Sequence, residues 1–434
     1  MKRKEIRQKK KIKRSKKVYF VRFMSLFVIL VVAVSAVIYV QAEKTLTKTH
    51  VNTKIKSSSI SAKKPLTILL MGVDTGDNSR GGADSWNGNS DSQIILTLNP
   101  RTKTTTIISV ERDTMTNIED ASGKIQSTQK MNAAYPLGFN NGGLSSAVTY
   151  AMKTIGNQVG LNLNNFMIVN MDGLVNLVND VGGVEVVNDT NGSDVYQGTD
   201  SGKITLPGSN KTVDSGAIYI SNTEPEYKAY VPYLSGNPKQ LINGEQALVF
   251  ARDRDTLANG NYGRAAHQRE VMTELMNKML SLNSVFKYQS FLNDISSDFK
   301  TNISINLANL TALMAYKDCL NKVVSIQYQG VSQMVDGGSY EFIPENVDLA
   351  IQNIMRQAND ESVNDKLDQS VITYENYFGS ETDQYYMPSA TVTIKGEKSE
   401  TYGVDTKGSL VKINKENAQD YVSCLLYTSP SPRD

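Results

Sequence analysis

Apolar runs and amphipathic repeats alternate along the chain from residue 65 to about residue 359. Apolar stretches rich in β-branched residues predict strands, whereas apolar positions three and four residues apart predict helices. The predicted strands are 67–73, 93–98, 104–110, 166–170 and 246–252, and the predicted helices are 144–160, 171–183, 265–280 and 346–359. This alternation predicts a layered α/β or α+β domain over residues 65–359.

A different pattern precedes that domain. Residues 1–17 carry eleven Lys and Arg side chains against the single Glu5, and residues 23–40 carry no charged side chain. Together with residues 18–22, the apolar run is long enough to cross a bilayer, so we predict one transmembrane signal anchor over 18–40. A cleaved secretory signal peptide is the alternative, but this run is longer than the usual apolar region of such a peptide.

The basic tail predicts how the chain lies in the membrane. Positive charge next to a membrane helix stays on the cytoplasmic side, so the residues after 41 are predicted to face outward from the plasma membrane. The whole chain has a formal net charge of +2, so the part that follows the basic tail is acidic. Anionic headgroups account for the tail without a nucleic-acid partner, and no helix-turn-helix pattern supports a DNA-binding regulator.

Four further segments differ from the layered pattern. Residues 41–64 are polar and are predicted to form an extracellular linker. Residues 188–239 are rich in Gly, Ser, Thr and Asn and are too long for an ordinary connection, which predicts a polar insertion. Residues 360–423 form a polar C-terminal extension, predicted to be loosely ordered or a small appended segment. Residues 424–434 continue no pattern and are interpreted as an artefactual tail.

The composition limits the chemistry of any metal site. The chain contains two cysteines and two histidines, which excludes a disulfide framework and a Cys/His metal site. Cys319 falls in a segment with helical apolar spacing and is predicted to be a buried thiol. A metal ion would therefore be held by oxygen ligands.

Charged side chains stand at the ends of three consecutive predicted strands, at Asp74, Asp91 and Arg112. A tight polar turn at 99–103 joins the second and third strands, so an antiparallel hairpin places Arg112 beside Asp91. Antiparallel pairing of the first two strands brings Asp74 to the same edge. Two close carboxylates need a cation, and oxygen ligands favour Mg²⁺ or Mn²⁺. The alternatives are that each aspartate caps a turn and that the charged strand end is a solvated loop.

A second charged cluster follows the last predicted strand. Alternation with a period of two places Arg252 and Arg254 on one face of that strand, and Arg264 and Gln268 lie one turn apart on the next helix. A guanidinium binds phosphate oxygens through two parallel hydrogen bonds. Several arginines near a divalent cation therefore favour a pyrophosphate or phosphodiester ligand. An ion-pair network of the arginines with the aspartates between them is the alternative.

These residues, in this order, resemble the LytR-CpsA-Psr family of cell-wall glycopolymer transferases over about residues 66–358. The motifs that carry the resemblance are "LLMGVD", "SDSQIILTLNP", "ISVERDTM", "KMNAAYPLG…GG", "DVGGVEV", "LINGEQALVFARDR" and "GRAAHQREV". The resemblance implies a three-layer α/β/α domain with a central mixed sheet and an apolar pocket for a polyprenyl tail. It implies Mg²⁺ ligands at Asp74 and Asp91. The residues that it assigns to the lipid pyrophosphate are Arg112, Arg252, Arg254, Arg264 and Gln268.

The reaction implied by the resemblance moves a glycopolymer phosphate, from teichoic acid or capsule, from a polyprenyl-pyrophosphate carrier to a hydroxyl of peptidoglycan. The metal and the arginines, with Arg112, Arg252 and Arg254 as catalytic candidates, would neutralise charge on the leaving group while the acceptor oxygen attacks in line. The proton acceptor is left open. Its candidates are Asp113, Asp253 and Asp255.

The chain departs from the family pattern at three positions. Asn89 stands where arginine is frequent, Glu111 where proline is frequent, and Asn261 where an acidic residue is frequent. The first change is expected to weaken phosphate binding, and Asn261 cannot act as a base. Two other functions fit the same residues, a hydrolase that releases the polymer and a non-catalytic binder or regulator of polyprenyl-linked polymer. Free glycopolymer phosphate among the products would favour the hydrolase.

Overall fold

The computed structural model describes residues 49–422, except 62, 76–85, 191–202, 207–211, 215, 220–228, 255–256, 258–259, 281–298, 305–311, 314 and 368–370. The predicted basic tail, the transmembrane anchor over 18–40 and the tail over 424–434 lie outside the described residues. Within the described ranges, none of the helices combines the length and the apolar character needed to span a bilayer.

Strands and helices alternate as the sequence predicts. The strands are β1 Leu66–Asp74, β2 Asn89–Asn99, β3 Thr104–Ser109, β4 Met115–Glu119, β5 Ile125–Lys130, β6 Phe166–Val169, β7 Val184–Val187, β8 Lys203–Thr205, β9 Thr212–Asp214, β10 Lys239–Ile242, β11 Phe299–Thr301, β12 Lys322–Gln327, β13 Val331–Val335, β14 Gly338–Phe342, β15 Ser389–Ile394, β16 Glu400–Val404 and β17 Leu410–Lys412. The helices are α1 Ala134–Gln158, α2 Met171–Asp180, α3 Gly244–Arg252, α4 Gly260–Leu280, α5 Glu345–Ala358 and α6 Tyr374–Phe378, with short 3₁₀ helices at Met131–Ala133, Ala315–Asn321 and Ala418–Asp420.

The centre of the fold is a mixed nine-stranded sheet in the order β11-β6-β1-β2-β3-β12-β15-β16-β17. β2 pairs antiparallel with β1 and with β3, as predicted, whereas β6 runs parallel to β1 and β12 runs parallel to β3. The mixed α/β class and the mixed sheet are therefore confirmed. The parallel strands arrive through helical crossovers, which is the usual connection between parallel neighbours.

The two faces of the sheet pack against different helices, because successive side chains of a strand point to opposite faces. Leu69 and Met71 of β1 belong to one core, which also holds buried residues of α1 and α5. Ile68 and Leu70, at the alternate positions of the same strand, belong to a core on the other face with Met276 of α4. Helices thus cover both faces of the sheet.

The prediction of a strand at 246–252 is wrong, because this segment is helix α3. Asn243 caps the helix, since its side chain accepts a hydrogen bond from the backbone of Gln246, whose side chain bonds back to the backbone of Asn243. Ala247 and Phe250 are buried on one face of the helix. A short apolar run fits a buried strand and a buried helix equally well, so periodicity alone does not separate them.

The expectation that the C-terminal extension is loosely ordered or merely appended is also wrong. β15 pairs antiparallel with β12 along its whole length and is followed by β16 and β17, so the extension completes one side of the central sheet. Ala390, Val392 and Val404 are buried in the main core. Without β15, the edge of β12 would expose unpaired backbone groups.

The predicted insertion begins and ends at a pair of antiparallel strands of the domain. β7 pairs antiparallel with β10, so Val187 and Lys239 lie opposite each other at the base of the excursion. Within the excursion, Val213 and Tyr219 belong to a small core of their own. In the predicted linker, Val51 donates a backbone hydrogen bond to Thr301 over 2.8 Å, so the described end of that segment packs against the domain.

A buried carboxyl in α5 gives a test of this packing. The Gln158 amide nitrogen donates to both carboxyl oxygens of Asp348, at 2.8 and 3.0 Å, while the Gln158 amide oxygen is buried without a hydrogen bond in the described structure. Burial raises the pKa of the Asp348 carboxyl well above its usual range. Folding therefore favours the protonated form of Asp348. Its contribution to the free energy of unfolding is highest at low pH, where this acid is protonated, and it decreases as the pH rises through the raised pKa.

We expect Asp348→Asn to increase the free energy of unfolding at pH 7 by about 1 kcal/mol. At this pH the wild-type acid must be either protonated or buried with its charge, whereas the amide is neutral and offers a donor to Gln158. A Tm increase of about 2 °C in thermal denaturation corresponds to that change. The difference should shrink as the pH is lowered, since the wild-type acid then becomes neutral. A variant that is less stable than the wild type at pH 7 would contradict this account.

Candidate active site

The carboxylates at the ends of β1 and β2 face the same side of the sheet. Asp74 has the same parity along β1 as Ile68 and Leu70, which face α4. In β2 the pairing register shifts, because Gly72 lies opposite Ser92 whereas Val73 lies opposite Ser90. Asp91 is the extra residue of this bulge, and bulges re-aim side chains at functional edges.

Arg112 lies beside Asp91, as the predicted hairpin requires. Its Nη1 donates to Asp91 Oδ1 over 2.9 Å, and its Nε lies 3.5 Å from Asp113 Oδ2. That Nε–H is buried and makes no hydrogen bond to any residue that the structure describes. Asp113 also forms an ion pair with Lys130 over 2.9 Å. The guanidinium is therefore hydrogen-bonded to Asp91 and lies close to Asp113, and its Nε–H remains available to another oxygen.

The second arginine group comes from the end of α3 and the start of α4. Arg252 lies in the last turn of α3, and Arg254 follows the C-terminal cap, so the two are not on the face of a strand. Gln268 of α4 donates its amide nitrogen to the backbone oxygen of Ala251 over 3.0 Å and accepts from Ser92 Oγ over 2.9 Å. One side chain thus joins α4, the end of α3 and the bulge of β2.

Positive charge is concentrated at this point. Burial, together with the charges of Arg112 and Arg254, lowers the pKa of the Arg264 guanidinium, while the acidic Asp91 and Glu111 oppose this effect. Arginines that approach one another repel, and an anionic ligand between them relieves this repulsion. The predicted convergence of arginines from separate segments is therefore observed in the structure.

An apolar cavity of about 160 Å³ opens beside these charges. It lies between the sheet and helices α2, α3 and α4, and its walls are almost entirely aliphatic. The apolar wall includes Leu70, Ile94, Met167, Val169, Leu174, Leu177, Leu248, Val271, Met272, Leu275, Met279 and Phe299. Its polar end is formed by Asp74, Asp91, Ser92, Asn170, Arg252 and Gln268.

A small polar pocket adjoins that end of the cavity. It is lined by Asp91, Ser92, Gln93, Ser109, Val110, Glu111, Arg112, Asn261, Arg264, Ala265 and Gln268. Asp91, Ser92 and Gln268 belong to both spaces, so the cavity and the pocket are adjacent parts of one site. An amphiphilic molecule with an anionic head and a hydrocarbon tail matches this division.

The structure places the predicted residues unequally. Six of the seven residues assigned to the metal and the pyrophosphate line the cavity or the pocket, namely Asp74, Asp91, Arg112, Arg252, Arg264 and Gln268. The seventh, Arg254, is close enough to Arg264 for its charge to lower the pKa of that guanidinium. Asp113 is engaged with Lys130 and Arg112 next to the pocket. Asp253 is buried, and Asp255 lies outside the described residues.

Sequence reasoning missed several members of the site. Ser92 has no motif of its own, although a serine directly after a strand-end aspartate is a signal for a polar edge. Asn170 caps α2 through a hydrogen bond to the Gly173 amide and lines the cavity, a cap that the order Asn-Met-Asp-Gly could have indicated. Glu111 was noted only as a departure from a family pattern, yet it lines the arginine pocket.

His267 lies outside the arginine cluster, although it is close to Arg264 in the sequence. Its ring is buried, stacks on Phe250 with centroids 3.8 Å apart, and bonds the Phe250 backbone oxygen and Asp189. It therefore packs beneath α3, although it is three residues from Arg264 in the sequence.

The donor set at the polar end suits a magnesium ion. Asp74 and Asp91 are two hard oxygen donors on one face of the sheet, and Mg²⁺ usually binds through one or two carboxylates together with water and substrate phosphate oxygens. No group of three His, Cys, Asp or Glu side chains suitable for a metal occurs among the described residues. The two aspartates therefore fit a metal that shares its coordination with a phosphate ligand better than a closed structural site.

Comparison with known proteins gives a consistent result. A model of the LytR_cpsA_psr family matches residues 32–357. The chain is 34% identical over 330 residues to Biofilm regulatory protein A of Streptococcus mutans, a match that spans 75% of this chain and 72% of that protein. It is 33% identical over 348 residues to the polyisoprenyl-teichoic acid–peptidoglycan teichoic acid transferase TagU of Enterococcus faecalis, spanning 79% and 97% of the two chains.

A solved structure shares the fold. The crystal structure of a Streptococcus agalactiae protein superposes with a TM-score of 0.61 at 37% identity, over 76% of this chain and 100% of the other. The family model covers most of the chain, and two relatives exceed 30% identity over more than two thirds of their length. The chain belongs to the LytR_cpsA_psr family.

Proposed function

We propose that this protein is a glycopolymer–peptidoglycan phosphotransferase. It takes a glycopolymer phosphate, such as that of teichoic acid or capsule, from a polyprenyl-pyrophosphate carrier and joins it to a hydroxyl of peptidoglycan. The relative from Enterococcus faecalis is named as a transferase of this kind, which supports the proposal. We also propose the three-layer α/β/α arrangement that the family resemblance implies, which the helices on both faces of the sheet support.

One observation carries the proposal. The aliphatic cavity and the arginine-lined pocket share Asp91, Ser92 and Gln268, so a hydrocarbon tail and a pyrophosphate head can be bound at once. Apolar walls favour the tail because its burial releases water from hydrocarbon surface. The guanidinium groups favour the head because their donors match phosphate oxygens. Few other ligands need both surfaces in contact.

The residues have separable roles in the transfer. Arg112, Arg252 and Arg254 neutralise the charge that develops on the departing polyprenyl phosphate, and Arg264 with Gln268 holds the diphosphate in place. The acceptor oxygen then attacks the phosphorus next to the sugar in line with the leaving oxygen. A divalent cation bound by Asp74 and Asp91 would add charge neutralisation at the phosphate oxygens.

The location of the protein follows from its substrate. A polyprenyl carrier stays in a membrane, so an enzyme that uses it must work at the membrane surface. The apolar segment at 18–40 and the basic residues before it provide such an anchor, with the catalytic domain on the outer side of the plasma membrane. The partners in this proposal are the lipid-linked glycopolymer, peptidoglycan and the membrane, without nucleic acid.

The proposal is tested with the full chain in detergent or liposomes. It is mixed with a polyprenyl-pyrophosphate-linked disaccharide and peptidoglycan oligomers, and the products are followed by mass spectrometry. A saccharide-phosphate-glycan adduct supports the transferase. Free saccharide phosphate would indicate the hydrolase, and binding of the lipid without either product would indicate a non-catalytic binder.

We expect the transfer to depend on Mg²⁺ or Mn²⁺. Chelation should lower the rate by about 100-fold, and added Mg²⁺ should restore it, because Asp74 and Asp91 would hold the ion together with the substrate phosphate, where it would neutralise charge. Asp74→Asn and Asp91→Asn should each raise the Mg²⁺ concentration needed for half-maximal rate by about tenfold or more. Asp383→Asn, at an exposed loop position, is the control. A transfer rate that is the same with and without chelator would show that the reaction does not require the metal.

A further inference from the structure

Glu111 is a buried carboxyl at the wall of the arginine pocket. It lies just after β3, precedes Arg112 in the chain, and has a relative exposure of 8%. Its backbone N–H donates to the hydroxyl of Tyr328 over 3.1 Å, which fixes the main chain at this point. Its carboxyl group is buried near the guanidinium groups of Arg264 and Arg269, whose charges act on it. Burying a carboxyl group is costly, so the presence of Glu111 in a ligand pocket needs an explanation.

The acidic neighbours of Glu111 are already engaged. Glu341 of β14 accepts hydrogen bonds from Tyr262, over 3.0 Å, and from Ser332. Asp113 is paired with Lys130. Burial and the charges of Glu341 and Asp113 raise the pKa of Glu111 to about 8. Of these three acids, Glu111 is the one that lines the arginine pocket.

Basic groups on α4 keep this carboxyl able to ionise. Arg269 and Arg264 lie close enough to lower the pKa of Glu111, against the effects of burial and of the neighbouring acids. Arg269 also donates to Ser325 Oγ over 3.1 Å, so it is fixed in place. The result is a carboxyl that changes its protonation state near neutral pH, which suits proton transfer in a catalytic cycle.

We propose that Glu111 is the general base that takes the proton from the acceptor hydroxyl. This inference rests on the proposed transferase function. As the hydroxyl proton moves to a Glu111 carboxylate oxygen, the acceptor oxygen bonds to the phosphorus next to the sugar. The bond from that phosphorus to the bridging oxygen breaks, and polyprenyl phosphate leaves with the electron pair. Glu111 then releases its proton to solvent or to the leaving phosphate.

The geometry favours Glu111 over the other acids near the pocket. Asp91 is bound to Arg112 over 2.9 Å, and an ion-paired carboxylate is a weak base. Asp113 faces Lys130 over 2.9 Å and does not line the pocket. Asn261, at the other wall of the pocket, cannot take a proton. Glu111 therefore fills the role that the sequence left open.

Glu111→Gln in the full chain tests the role directly. The amide keeps the shape of the side chain but cannot accept the proton, so we expect the transfer rate to fall by about 100-fold or more. Binding of the polyprenyl-pyrophosphate-linked disaccharide should be retained. In the wild type, the rate should rise with pH through a pKa near 8, because only the ionised form is active, and this limb should be absent from Glu111→Gln.

A second variant keeps the test decisive if Glu111→Gln folds poorly. Glu341→Gln removes a negative charge near Glu111, so the rising limb of the pH profile should move to lower pH, whereas the exposed control Glu381→Gln should leave it in place. Wild-type transfer combined with an unchanged rate and pH profile in Glu111→Gln would overturn the base while the transferase stands. Absence of transfer in the wild type would overturn both.

Discussion

Arg112→Ala should lower the rate of glycopolymer transfer by about 100-fold to 1000-fold. Removing a single preorganised donor that stabilises charge in a transition state has effects of this size. Arg112 is such a donor, because Asp91 holds one end of its guanidinium at 2.9 Å while the buried Nε–H has no hydrogen-bond partner among the described residues. The effect should appear mainly in kcat if the side chain acts on the departing phosphate.

Two further variants separate the explanations for such a loss. Arg112→Lys keeps the charge but not the planar fork, so an activity close to that of the alanine variant would assign the effect to bidentate binding. Arg101→Ala removes an arginine that pairs with Asp360 at the opposite end of the β2–β3 hairpin, and it should leave the transfer rate unchanged. Full activity of Arg112→Ala would contradict the role of this residue in catalysis.

The strand-end charges could be predicted from the sequence because the contacts between them are local. β2 and β3 are joined by a tight turn, so the hairpin register alone brings Arg112 to Asp91. The pairing of β1 with β2 brings Asp74 to the same edge in the same way. In such cases, two-residue periodicity and a turn are sufficient, and no knowledge of the tertiary fold is needed.

Other parts of the site depend on contacts that periodicity does not encode. The bulge at Asp91 is an irregularity of pairing, so the sequence does not show that Asp91 and Ser92 face one cavity. Glu341 approaches Glu111 only because the β13–β14 hairpin packs beside the strand end, where the Glu341 N–H donates to the Asp113 carbonyl over 3.0 Å. The C-terminal strands likewise complete the sheet through long-range pairing with β12.

Leu174→Trp should discriminate between carriers by the length of their polyprenyl tail. Leu174 lies on α2, is half-buried, and lines the apolar cavity. A tryptophan there occupies space that the tail needs and displaces about two or three methylene groups, each worth roughly 0.8 kcal/mol when buried. We expect kcat/KM for a long-chain carrier to fall by about 30-fold, since ~1.4 kcal/mol corresponds to a tenfold change.

A carrier with a single isoprene unit provides the comparison, because a short tail does not reach the altered part of the cavity. Its kcat/KM should be much less affected by Leu174→Trp than that of the long carrier. Leu410→Trp, at an exposed position of β17 on the outer edge of the sheet, should affect neither substrate. Equal losses for both tail lengths would mean that the substitution disturbs the catalytic end. An unchanged rate with the long carrier would show that the tail binds elsewhere, and the apolar cavity would then need another occupant.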